Sequence, residues 1–124
     1  MATEDDVREI ALSLPASTEK SSYGTPAFRV QDKLFARMRE MDAADGEVLV
    51  IFVADVGEKE ALIASDLEKF FTVPHYDGHA MVLVRLRAVE RDELTELLTE
   101  SWLLRAPPKV AAMFLADHPD LAGH

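Results

Sequence analysis

An α+β domain is the fold class predicted by three observations. Helical apolar stripes lie near both ends of the chain, β-branched and aromatic runs occupy its middle, and the segments follow one another as helix, strands, helix, strands, helices. The implied architecture is an N-terminal helix, an antiparallel β-sheet interrupted by a helix, and C-terminal helices packed on the sheet, mainly from one side. With 124 residues, 48% of them hydrophobic, the chain reads as a single domain over 1–124 able to bury its own core. Residues 117–124 are expected to form a flexible tail.

Each element has a local reason. Thr3 can cap a first helix, with Asp6 three residues on and Val7, Ile10, Ala11 and Leu14 following at the spacing of one buried stripe; Pro15 ends it. Residues 27–39 read as a hairpin around Gln31-Asp32, with Phe28 and Val30 before the turn. In its second strand strict alternation places Lys33, Phe35, Arg37 and Arg39 on one side and Leu34, Ala36 and Met38 on the other. After a polar turn over 41–47, the run Val48-Leu49-Val50-Ile51-Phe52-Val53 is expected to be a central strand buried on both faces. Residues 56–69 fit one or two short amphipathic helices.

Residues 70–73 and 80–86 flank Pro74-His75-Tyr76-Asp77-Gly78-His79 as strand, loop, strand, and alternation there puts Arg85 and Arg87 on a common side. Leu94, Leu97, Leu98, Ser101 and Trp102 then trace the clearest helix, broken at Ala106-Pro107-Pro108. A last helix over 109–116 turns Val110, Met113 and Phe114 inward. Trp102 and Phe28 read as core anchors rather than ligand contacts.

Composition narrows the function. No apolar run approaches the roughly 18 residues that cross a bilayer, and Thr3-Glu4-Asp5-Asp6 stands where a signal peptide would carry basic residues, so a cytoplasmic protein without membrane association is expected. Zero cysteines exclude disulfides, thiolate nucleophiles and thiolate metal sites. The serines lack a G-x-S-x-G setting, and the five glycines are too scattered for a phosphate loop, so no catalytic residue and no cofactor is assigned. His75 and His79 are four apart, but Pro74, Asp77 and Gly78 make a turn there and favour surface or hydrogen-bonding histidines over a metal site.

Charge supplies the positive signal. The chain carries −10 at pH 7, yet residues 20–39 hold Lys20, Arg29, Lys33, Arg37 and Arg39 against Asp32 alone, a net of +4 that leaves −14 elsewhere. The total opposes non-specific coating of nucleic acid, whereas a local basic face still attracts anions within a Debye length of about 8 Å. Such a face, joined by Arg85 and Arg87 if their strand is a neighbour and by Tyr23, Phe35 or Tyr76 for stacking, can hold phosphates and unstacked bases. The competing reading pairs these cations with Glu47, Glu19 or helix carboxylates as ordinary surface charges.

At Leu14-Pro15, Tyr23-Gly24-Thr25-Pro26-Ala27-Phe28-Arg29-Val30 and Lys33-Leu34-Phe35-Ala36, the sequence resembles the MmcQ/YjbR family of small bacterial proteins. The likeness continues through Pro74-His75-Tyr76, the strand ending at Leu86, Asp92-Glu93-Leu94, and residues 101–109 from Ser101-Trp102 to Pro108-Lys109. The resemblance implies a secretion-chaperone-like, CyaY-like α+β fold. It also implies the label the family commonly carries, DNA binding through a double-wing arrangement of hairpins. This chain departs from the family in having Gln31-Asp32 in place of a glycine-rich turn, and in its negative charge. Within the matching segments Gly24 is expected to supply a conformation closed to other residues, and Phe28 to pin the hairpin to the core. The residues expected to contact DNA are Arg29, Lys33, Arg37, Arg39 and Lys109; Tyr23, His75 and Tyr76 are expected to line a pocket beside them. The alternative is a protein-interaction or chaperone-like module without enzymatic activity.

Overall fold

The structure, a computed structural model, describes residues 1–22 and 24–122. Helix α1 (Glu4–Ser13) starts at the expected capping box: the Asp6 amide donates to the Thr3 hydroxyl and the Thr3 amide returns a bond to the Asp6 carboxylate at 2.9 Å. Val7, Ile10 and Ala11 form its buried stripe. Three strands follow: β1 (Ser17–Ser22), β2 (Thr25–Val30) and β3 (Lys33–Arg39). Gly24, at φ +81°, turns β1 into β2 in a conformation that would strain a side-chain-bearing residue. Gln31 and Asp32, with φ of +45° and +72°, close the next hairpin with both central residues left-handed, as a type I′ turn requires.

Strand β4 (Val48–Phe52) is buried on both faces over Val48, Leu49, Val50 and Ile51. Asp55 caps α2 (Val56–Ser65) by accepting the Glu58 amide at 2.8 Å. The short β5 (Phe70–Phe71), a 3-10 turn over Pro74–Tyr76 and β6 (Met81–Arg85) come next. The chain closes with α3 (Arg91–Arg105), α4 (Pro108–Asp117) and the single turn α5 (Pro119–Ala122). The six strands form one antiparallel sheet in the order β1-β2-β3-β4-β6-β5.

Helices α1 and α3 pack together over one face of the sheet, α3 lying on β3 and β4. Their core joins Val7, Ile10, Leu94, Leu98 and Trp102 to Phe28, Val30, Ala36, Leu49, Ile51, Val82 and Val84. The Trp102 indole, fully buried, donates to the Pro15 carbonyl at 3.1 Å and so ties the end of α1 to α3. On the opposite face Val48, Val50 and Leu83 form a smaller cluster with Tyr76 and Val73 of the 72–80 loop, with Met41, Phe71 and Met81 packed against it. Among the described residues no apolar cluster covers the β1–β3 half of that face.

Three expectations are corrected. Strand β1 was not anticipated. The arginine pair at the end of β6 is split, because β6 stops at Arg85 and Arg87 lies in a 3-10 turn over Leu86–Ala88, donating to the Ala44 carbonyl. Met113 is 65% exposed, since Val110, Ala111 and Phe114 make the packing stripe of α4.

Candidate functional site

A β-bulge decides which side chains share the open face. Pairing between β2 and β3 runs Phe28 opposite Ala36 and then Arg29 opposite Leu34, so Phe35 is an extra residue. Its carbonyl accepts the Ser101 hydroxyl at 2.5 Å, the same hydroxyl accepts the Phe52 amide at 2.9 Å, and the Leu34 carbonyl accepts Arg105 Nε at 2.9 Å. Strict alternation therefore fails at this point. Phe35 joins the helix-side core with Ala36 and is not available for stacking. Lys33, opposite core residue Val30, leaves the hairpin tip toward the helix side, out of phase with Arg37 and Arg39.

Beyond the bulge the register gathers cations. Arg37 sits between Ala27 and Val50, with Lys20 opposite Ala27 one strand further out; Arg29, two residues from Ala27, shares that side. Arg39 lies opposite Val48, which is itself opposite Arg85. Lys20, Arg29, Arg37, Arg39 and Arg85 thus occupy one face, at an inter-strand spacing of about 4.8 Å. Arg85 is neutralised there: Nε meets Asp45 at 2.9 Å and the guanidinium stacks 4.0 Å from the Phe71 ring centre.

The other four keep their charge uncompensated. Among the described residues no carboxylate lies within 4.0 Å of Lys20, Arg29, Arg37 or Arg39. Glu19, a suggested partner, is on the helix side and holds Arg8 at 2.8 Å, while Glu47 accepts the Glu4 amide at 3.3 Å. The Arg29 guanidinium donates to the Asp32 carbonyl at 3.2 Å, bracing the hairpin turn without neutralising its charge. Arg39 lies over the Tyr76 ring at 5.3 Å. The Nε atoms of Arg37 and Arg39 are buried and carry no hydrogen bond among the described residues, so both donors would gain from an acceptor.

A family model described as YjbR matches residues 12–104, which contain this whole face. The chain belongs to the YjbR family. It is 38% identical to the uncharacterised protein Rv2570 of Mycobacterium tuberculosis (strain ATCC 25618 / H37Rv), over 94% of this chain and 98% of that one. The same identity and coverage relate it to the uncharacterised protein Mb2600 of Mycobacterium bovis. Among solved structures it is similar to the Deinococcus radiodurans protein DR2400, described as carrying a DUF419 domain, with a TM-score of 0.69 and 27% identity over 84% of this chain and 78% of that one.

Within this YjbR domain the remaining candidates are dispersed. Lys109 begins the exposed side of α4, whose neighbours Val110 and Ala111 pack on the helix-side core, so it stands apart from the open face. Tyr23 lies outside the described residues. His75 is exposed and meets Tyr76 edge-on at 4.8 Å between ring centres, whereas Tyr76 is 5% exposed and serves as cover for Val48, Val50 and Leu83. A groove of about 390 Å³ beside Arg39 is lined by Thr25, Pro26, Met41 and Val48 together with Glu4, Glu40 and Glu47, and includes neither His75 nor Tyr76.

One functional-looking residue gave no sequence signal. Lys59, one of the charged residues of an amphipathic helical segment, is 4% exposed; its ammonium donates to the carbonyls of Tyr76 at 2.6 Å and His79 at 3.0 Å. It fixes the 72–80 loop over the sheet and thereby sets the Tyr76 ring beneath Arg39.

Proposed function

We propose that this YjbR domain is a non-enzymatic binding module that holds a polyanion, DNA in the first instance, on the uncovered half of its sheet. The observation that supports the reading is the set Lys20, Arg29, Arg37 and Arg39, which share one face and have no carboxylate within 4.0 Å among the described residues. Backbone contact suits this face better than base readout. Among the described residues its aromatic rings are occupied, Tyr76 in the small core and Phe71 under Arg85, which leaves no platform for stacked bases. Lys33, on the helix side of the hairpin tip, and Lys109, on α4, add only long-range attraction.

The direct test is titration of labelled duplex and single-stranded DNA at about 50 mM salt, where phosphate contacts are strong. Binding that Arg37→Glu abolishes supports the reading; no binding at that salt retires it. A second reading, an acidic polypeptide partner, draws on β1 being an edge strand of the sheet that itself carries Lys20. An extended acidic segment adding to β1 would place its carboxylates beside that lysine. A face that binds an acidic peptide and ignores both forms of DNA decides for this partner.

A further inference from the structure

At the end of the sheet where β4 leaves and β6 enters, Phe52, Val53, Ala54, Ala80, Met81 and Leu104 line a groove of about 350 Å³, whose polar members are Arg105 and His79. Arg105 is fixed twice. Its Nε donates to the bulge carbonyl of Leu34 at 2.9 Å, and its guanidinium carbon lies 4.4 Å from the Phe52 ring centre. Bracing the bulge uses one of the five donors of the guanidinium. Among the described residues the terminal nitrogens have no hydrogen-bond partner, and no carboxylate lies within 4.0 Å. His79 is held at the rim because its carbonyl accepts the buried Lys59 ammonium at 3.0 Å.

We infer that this groove is a binding site for a small organic acid, a carboxylate carried on a short apolar body. A planar, pre-oriented guanidinium fork matches a carboxylate through two parallel charge-assisted bonds, and the six apolar lining residues supply contact area for the body. The volume falls at the small end of ligand clefts, about 300–1,000 Å³, which favours short acids over extended ones. Held by the Leu34 carbonyl and the Phe52 ring, the guanidinium is ordered before a ligand arrives, so a carboxylate gains charge-assisted bonds with little further side-chain ordering. None of this depends on the polyanion reading, because Arg37 and Arg39 do not line the groove.

The test uses the full chain labelled with ¹⁵N and three probes: hexanoate, its uncharged isostere hexanamide, and acetate. Hexanoate is expected to shift the amides of Val53, Ala54, Ala80 and Met81 and the Arg105 side chain in a saturable way below about 10 mM. Hexanamide and acetate should each bind at least about tenfold more weakly, the first lacking the charge and the second the apolar body. Arg105→Lys keeps a cation and loses the fork, and should weaken hexanoate by about tenfold. Because Arg105 also braces the bulge, Ala80→Glu serves as a second variant, placing a like charge on the groove wall and abolishing binding. Equal affinity for hexanoate and hexanamide, no groove shifts by about 10 mM, or indifference to both substitutions overturns the assignment.

Discussion

Neutralising the open-face cations should flatten the salt dependence of DNA binding by an amount the register allows one to calculate. Four cations without an ion-pair partner among the described residues, Lys20, Arg29, Arg37 and Arg39, face one way, so at most about four phosphates are neutralised. The slope of log affinity against log salt is then about −3.6 for duplex and about −2.8 for a single strand. Between about 50 and 200 mM salt this predicts a loss of about 150-fold for duplex and about 50-fold for single strands. Arg37→Gln with Arg39→Gln removes two contacts, bringing the duplex slope near −1.8 and the loss to about 12-fold. Glutamine retains part of the aliphatic stem that each half-buried arginine lays on the sheet, so the fold is perturbed less than by alanine. The acidic remainder of the chain lowers absolute affinity while leaving the number of released counterions unchanged. Lys109→Gln is the control, since Lys109 stands on α4 and should leave the slope within about 0.3. The assay is fluorescence anisotropy with a labelled 20-mer at four salt concentrations. A wild-type slope shallower than about −1, or a Lys109→Gln variant as flat as the double variant, refutes the reasoning.

Three further outcomes follow from the same geometry. Ser101→Ala leaves the Phe35 carbonyl and the Phe52 amide without their shared hydroxyl, and should cost about 2–4 kcal/mol in urea unfolding; a loss below about 0.5 kcal/mol contradicts the bridging role. Lys59→Met keeps the buried stem but releases the Tyr76 and His79 carbonyls, so hydrogen exchange over residues 74–80 should accelerate while that of β3 stays protected, with a stability loss of about 1–3 kcal/mol. Unchanged exchange in the loop would mean that packing of Tyr76 alone holds it. The pKa of Asp6 is lowered from its ordinary carboxylate value first by the Thr3 backbone amide, which outweighs the opposing cost of desolvation, with Arg91 and the Thr3 hydroxyl adding to the lowering. A folded-state value below the unfolded one means stabilisation that is present above about pH 4 and lost as pH falls through the folded value, so Asp6→Asn should flatten the melting-temperature profile in that acid range only. Parallel profiles for the two proteins at every pH refute this.

The parts of the fold that were legible in the sequence are those where a local rule and the tertiary structure agree. Thr3 with Asp6 marks the start of α1, the apolar run from Val48 marks a strand covered on both sides, and Pro107-Pro108 separates α3 from α4. Strand β1 was illegible for a physical reason. Ser17–Ser22 contains no apolar residue, and its extended form comes from pairing along the whole of β2, a partner choice that periodicity cannot express. Lys59 was hidden for a related reason: what makes it buried is a pair of backbone carbonyls from residues 76 and 79, which no side-chain pattern announces.

The candidate site was half legible, and the boundary between the halves is the bulge. Alternation counted correctly from Ala36 onward, which is why Arg37 and Arg39 do share the open face, and it failed one step earlier, where Phe35 enters the core and Lys33 changes side. The cause lies 66 residues away along the chain, in Ser101. Ser101 and Arg105 are i, i+4 neighbours on α3, so both reach the same stretch of β3 and take its two irregular carbonyls. That single arrangement has three consequences. It satisfies the backbone polar groups that an extra strand residue would leave unpaired, it sets the phase of the arginines on the far side of the sheet, and it holds the guanidinium of Arg105 over the Phe52 ring. A serine that reads as one more position on an apolar helical stripe therefore controls the geometry of both proposed sites. Loss of its hydroxyl should disturb the polyanion face and the acid groove together, whereas Arg37→Gln should affect the first alone.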